Sequence, residues 1–206
     1  MSLSRYLPSL AKILDDPLPP TVWPDAAALR AGQLTIHDES AADLGLRFGL
    51  PLCVASVTVR GDGHLVVGYL EDGAAGGGRR IWFGADLDAG AAGGVHESVS
   101  DHVILLAEAT RVTRVRGCTV VAVDVDLPRS DTYDLVPVDG HGRAGGTVEQ
   151  VTVVGRNRVY CGATTEVPAA LAVGCVVAVA VVATFRWSPL SDLARTSSEP
   201  RQEAQP

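Results

Sequence analysis

Aromatic residues make up only 5% of this 206-residue chain, and lysine is all but missing, with Lys12 the single example. So few rings leave Val, Leu and Ala to build the core, and hydrophobic residues at 47% supply enough of them. Valine dominates the apolar runs after residue 50, and β-branched side chains suit a pleated sheet better than a helix. Positive charge is also short: 17 Lys+Arg stand against 24 Asp+Glu, a formal net charge of −7. Without a basic stripe there is no footprint for a phosphate backbone, so nucleic acid is not an expected partner.

No CxxC pair occurs. Cys53, Cys118, Cys161 and Cys175 lie far apart, each in or beside an apolar run, and are read as reduced thiols of a cytoplasmic protein. Zinc-ligand spacing is absent, as are GxSxG, HExxH, the P-loop and the dinucleotide fingerprint. Gly76-Gly77-Gly78 leads into arginines and a strand, so it is no phosphate cradle. The first sixteen residues lack the sustained apolar core of a signal peptide. Residues 169–185 carry no charge and approach the lower length limit of a membrane helix. Their valine content and Gly174 favour a buried strand, and no membrane partner is expected.

Three regions follow. Residues 1–49 read as an irregular segment with short helices near 7–14 and 25–31, broken by Pro17, Pro19 and Pro20. Residues 50–187 read as a β-rich domain, and 188–206 as a polar, disordered tail. Within the domain, strands are expected at 53–60 and 65–70 around a turn at 61–64, then at 80–86. Further strands are expected at 119–127, 133–138, 148–155, 158–165 and 171–185, with Gly155-Arg156-Asn157 as a tight turn. Gly/Ala-rich stretches at 72–78 and 87–94 read as loops.

The run over 99–114 carries helix signals. Ser98 fits an N-cap with Asp101 three residues on, and Arg114, Arg116 and Gly117 fit a helix stop. Val99, Val103, Leu106 and Thr110 would form one row, widened by Ile104, Ala107, Ala109 and Val112. A helix so apolar must be buried. The expected fold is therefore α+β, mainly β: a curved antiparallel sheet wrapped around one buried central helix.

The start of that run holds the candidate site. His96 could act as acid or base near neutral pH, and free N–H groups at a helix start could hold a carbonyl oxygen or an anion. A well-capped helix with solvated polar neighbours explains the same residues. His96 and His102 lack helical i,i+4 spacing, so no metal is expected. Glu108, inside the apolar run, either pairs with Arg111 or Arg114 or serves as an acid of raised pKa. Arg111, Arg114 and Arg116 could hold a phosphate-bearing tail, or form a solvated helix end.

The segment His96-Glu97-Ser98-Val99-Ser100-Asp101, followed by Leu105-Leu106-Ala107-Glu108-Ala109, resembles the hot-dog superfamily, many of whose members handle acyl thioesters. Its His-x-Ser-x-x-Asp start is similar to the avirulence D family, which, like the A-factor-type butyrolactone synthases, joins β-ketoacyl groups to small polyols. The resemblance implies His96, Asp101 and Glu108 as catalytic residues, with Ser98, His102, Arg111 and Arg114 binding substrate. It implies an acyl-CoA or acyl-carrier-protein thioester as partner, a homodimer, no cofactor, and a place in secondary metabolism. The resemblance points to an acyl-thioester-handling enzyme. The sparse polar constellation and the two Gly/Ala loops fit a non-catalytic β-rich assembly or interaction subunit instead, and a small-ligand-binding barrel is a third reading.

Overall fold

A computed structural model of the chain describes residues 18–30, 32–59, 62–70, 79–86, 98–128, 130, 132–138, 147–167 and 171–189. The expected helix at 7–14, the Gly/Ala loops, His96 and the 190–206 part of the tail lie outside them. A short N-terminal unit comprises β1 (Ala27–Arg30), β2 (Gln33–Ile36), β3 (Glu39–Ser40) and helix α1 (Ala41–Phe48). Nine strands follow: β4 (Leu52–Val59), β5 (Asp62–Leu70), β6 (Arg79–Asp86), β7 (Ser98–Val115), β8 (Cys118–Val123), β9 (Tyr133–Pro137), β10 (Thr147–Val154), β11 (Tyr160–Val167) and β12 (Val176–Pro189). The chain is mainly β, and α1 is the one helix among the described residues.

The central correction concerns residues 99–114. They are not a buried helix but most of β7, an 18-residue strand. Val103, Leu105 and Ala107 face one core, and Ile104 and Leu106 face another. A strand buried on both faces needs an unbroken apolar run, which periodicity alone does not separate from a buried helix. The stop signal also has another meaning here. Arg116 (φ 46°) and Gly117 (φ 79°) form the two-residue turn between Val115 and Cys118, and two positive φ values are what a tight hairpin requires.

β7 and β12 pair antiparallel from Ser98↔Trp187 to Glu108↔Val176. The other edge of β7 takes β4 at Ile104–Leu106 and then β8 from Ala109 to Val115. The other edge of β12 takes β9 at Val177–Val181 and then β6 at Phe185–Pro189. Because β4, β5 and β6 form a meander, the pairings β7–β4–β5–β6–β12–β7 close a circuit. Closure removes free edges within that circuit. Outside it, β8 carries β10 and β11. Most pairs are antiparallel; β6–β12 and β8–β10 are parallel.

Two bulges let the long strands change partners. Thr110 is the extra residue between the Ala109↔Val123 and Arg111↔Ala122 pairs, and Ala183 and Thr184 together face Asp101. Bulges of this kind bend a strand and increase its twist.

Several other expectations are met or adjusted. The hairpin expected from 53–60 and 65–70 is β4–β5, but Val59 pairs with Asp62, so Asp62, Gly63 and His64 belong to the strand. Of the stretch 169–185, the described residues 171–185 hold no helix: Gly174 (φ 88°) sits in a turn and β12 follows it. No helix among the described residues is long and apolar enough to cross a membrane. Residues 25–31, expected as helical turns, contain β1. Helix α1 was not expected, although Ser40 caps it by accepting from the Asp43 amide at 3.4 Å and Gly49 ends it.

The N-terminal unit forms a separate three-stranded sheet and covers one face of the main one. Leu29, Leu34, Ile36 and Leu44 pack there with Leu52, Val54, Ile104, Leu106, Ala178 and Ala180. Trp23, 1% exposed, donates its indole N–H to the buried carboxylate of Asp134 in β9 at 2.7 Å. The other Asp134 oxygen accepts from the Leu135 amide at 2.9 Å. Buried polar groups need partners of this kind.

Two outcomes test this architecture by chemical denaturation. Ile104→Ala and Leu105→Ala, one on each face of β7, should each cost about 2–5 kcal/mol; a cost confined to one of them would mean that only one face is buried. Trp23→Phe removes the donor to Asp134 while keeping most of the ring, and should cost about 1–3 kcal/mol.

Candidate functional site

β7 carries every described member of the expected site. Ser98 opens the strand and stands opposite Trp187 in β12. Asp101 is exposed, faces the bulge in β12, and accepts a hydrogen bond from the Thr184 hydroxyl at 3.2 Å. His102 is half-buried opposite Val182. Glu108 is exposed opposite Val176. Arg111 is exposed opposite Ala122, and Arg114 stands opposite Thr119.

A strand spreads these groups apart. Asp101 and Glu108 are seven residues apart, which at a rise of about 3.3 Å per residue is about 23 Å. An odd separation on a regular strand also puts them on opposite faces. Asp101 shares the parity of Val103 and Leu105, and Glu108 that of Ile104 and Leu106. Asp101 and Glu108 are therefore not brought together. The helix N-terminus that was to offer free N–H groups is also absent, because the backbone there is part of the ladder with β12.

Local roles can be assigned to the polar groups near the bulge. The Glu108 amide donates to Asp124 Oδ1 at 2.8 Å, and the Asp124 amide donates to the Glu108 carbonyl at 3.3 Å. On the opposite edge, the Ala109 amide donates to the Cys175 carbonyl at 2.9 Å and its carbonyl accepts from Gly174 at 2.8 Å. Thr110 donates from its hydroxyl to the Ala122 carbonyl at 3.2 Å. Arg114 donates through Nη2 to the Leu171 carbonyl at 2.9 Å, which ties β7 to the segment before β12. These contacts satisfy backbone at an irregular point of the sheet.

A second polar group lies beyond β8. Asn157 bridges to Leu127 in both directions, its Oδ1 accepting from the amide at 3.2 Å and its Nδ2 donating to the carbonyl at 2.8 Å. Gly155 leaves room for this clamp, since a Cβ there would lie 2.7 Å from both the Leu127 nitrogen and Asn157 Oδ1. Arg156 pairs with Asp126 at 3.2 Å on the surface. The expected tight turn at 155–157 thus serves to fasten the chain between β8 and β9 to the β10–β11 hairpin.

No group of three His, Cys, Asp or Glu residues among the described ones could hold a metal ion. A comparison of the chain with protein-family models, curated proteins and solved structures finds no match. The likeness to hot-dog proteins thus rests on the short motif alone. Thr184 and Asp124, the partners of Asp101 and Glu108, were not anticipated. Thr184 meets Asp101 only through the pairing of β7 with the distant β12, for which no local signal exists. Asp124 meets Glu108 across the β7–β8 hairpin, which the helix reading of 99–114 concealed.

The separation is measurable. Asp101→Ala and Glu108→Ala should be additive in stability to within about 0.5 kcal/mol, as expected for sites more than about 10 Å apart. A larger coupling energy in the double mutant would contradict the placement.

Proposed function

We propose that this chain is a non-catalytic β-rich assembly or interaction subunit. The observation that supports the reading most directly is the dispersal of the polar groups of the expected site among the described residues. Asp101 and Glu108 lie on opposite faces of one strand, and the described contacts of Asp101, Arg114, Asp124 and Asn157 are with neighbouring hydroxyl or backbone groups. Acid–base and acyl-transfer chemistry instead require two or three groups converging on one reacting atom. Apolar side chains, by contrast, are plentiful enough to fill cores on both sides of the β7–β12 pair. A scaffold needs that rigidity.

A sheet wrapped around a helix does not enter this reading, since the segment expected to be that helix is β7. A cytoplasmic setting fits it: Cys53, Cys118 and Cys175 are thiols rather than halves of disulfides, which accords with a reducing compartment.

The test is thiol release from a panel of acyl- and β-ketoacyl-thioesters, with wild type beside His96→Ala. The expected outcome is no turnover above the uncatalysed rate by either protein. Turnover by wild type that disappears in a folded His96→Ala variant would replace the assembly reading with an acyl-thioester enzyme.

A further inference from the structure

A second circuit shares the β7–β12 pair, running from β7 through β8, β10 and β11 on one side and from β12 to β9 on the other. β11 and β9 are the two ends of the nine-strand order, yet they lie side by side, with Cα atoms within 8 Å of one another. Among the described residues no ladder joins them. Followed around the circuit, the pairings set the two strands parallel. Where they approach, the slit is narrower than two strand spacings, about 9.6 Å, so a further strand does not fit between them. Pairing across it would join β9 to β11 directly.

Hydrogen bonds alternate along an antiparallel pair, and the alternation shows which backbone groups face the slit. The Val138 amide donates to the Val176 carbonyl at 2.9 Å and the Val182 amide to the Thr132 carbonyl at 3.3 Å, so even-numbered residues of β9 are engaged with β12. Tyr133, Leu135 and Pro137 direct their backbone the other way. The Gly155 amide donates to the Val159 carbonyl at 3.0 Å. By the same alternation Cys161, Ala163 and Thr165 bond to β10, while Gly162, Thr164 and Glu166 turn outward. Pro137 has no N–H, so the middle of β9 can enter a ladder only through the Leu135 amide. That amide, on a residue 0% exposed, donates instead to Asp134 Oδ1 at 2.9 Å. The other Asp134 oxygen accepts from Trp23 of the N-terminal unit at 2.7 Å.

We propose that the slit between β9 and β11 is a closable seam, kept open by Asp134, which the docked N-terminal unit orients through Trp23. The Leu135 amide has two uses that exclude each other: donating to Asp134, or donating across the slit to a carbonyl of β11. Asp134 shares the parity of Val136, which packs against the N-terminal unit, so the carboxyl group is buried only while that unit is docked. A buried carboxyl group keeps the arrangement that engages both its oxygens, one on Trp23 and one on Leu135. With the unit displaced, Asp134 meets water, which satisfies it without Leu135, and the freed amide pairs with β11. Closing the seam then removes the free edges of the second circuit. The fold thus carries a two-state element: unit docked and seam open, or unit displaced and seam closed. This device goes beyond the assembly reading and does not depend on it.

Amide hydrogen exchange of the full-length chain, followed residue by residue by NMR, tests this. In wild type the outward amides of Gly162, Thr164 and Glu166 should exchange about tenfold faster, or more, than those of Ala163 and Thr165, which lie in the ladder with β10. Asp134→Leu leaves the Leu135 amide without its side-chain acceptor and should slow at least one of the three outward amides by about tenfold. If that variant does not fold, Trp23→Phe/Asp134→Leu decides the matter, because removing both partners together orphans no buried donor. A role in stability alone gives the opposite sign, since a loosened fold exchanges faster. Outward amides already as slow as Ala163 and Thr165 in wild type overturn the proposal. So does exchange that is unchanged or faster at all three in the folded variant.

Discussion

Burial of β7 and β12 on both faces is the constraint from which the rest of this architecture follows. From Val103 to Ala107 and from Val177 to Val181, every side chain enters one of two cores. Neither strand can present a polar residue there without leaving it unsatisfied, because both faces are dry and both edges are paired. The two strands therefore act as one apolar plank. Each can change character only where it escapes burial, and the bulges at Thr110 and at Ala183–Thr184 lie just beyond the doubly buried stretches. There the plank bends, its outer edges change partners from β4 to β8 and from β9 to β6, and polar side chains reappear.

A plank buried on two faces requires two covers, and they are built differently. One core is closed by the sheet itself, as β8, β9 and β10 bring Val121, Val123, Leu135, Val151 and Val153 toward the odd-numbered residues of β7. The other is closed by a separate unit that shares no strand pairing with the main sheet. Packing alone is weakly directional, so a buried hydrogen bond such as Trp23 to Asp134 adds registry. Asp134 sits in a strand whose five residues are all buried, and it is tolerated because both of its oxygens are engaged.

How much of this was legible follows from the same physics. β4, β5, β6, β8, β10, β11 and β12 were readable because alternating or valine-rich runs are punctuated by turn residues such as Gly155-Arg156-Asn157. β7 was misread because double burial erases alternation, and what remained were end signals with two meanings. Ser98 and Asp101 resemble a capping box, and Arg116-Gly117 resemble a helix stop, yet the latter pair suits a tight hairpin equally well. Helix α1 was missed for the opposite reason: its apolar stripe is short, while its signals, Ser40 with Asp43 and Gly49, are ordinary ones. The candidate site inherited the error in β7. Seven residues span about 10 Å along a helix but about 23 Å along a strand, so Asp101 and Glu108 were neighbours only under the wrong geometry.

The outer face of β8 and β10 has a different status from the two faces of the plank. Valine, threonine and alanine on a sheet indicate burial, but composition does not say what buries them. On β7 and β12 the cover is identified, residue by residue, on both sides. On β8 and β10 it is identified on one side only, although Val120, Ala122 and Val154 have the character of residues that are normally covered. Extending the N-terminal unit across that face would require it to leave Ile104, Leu106 and Ala178, where its leucines already lie. One short unit cannot close both. Inward, the same strands are completed by β9, which lies beside β11, so that Val121, Val123, Val151 and Val153 share their core with Tyr133 and Leu135.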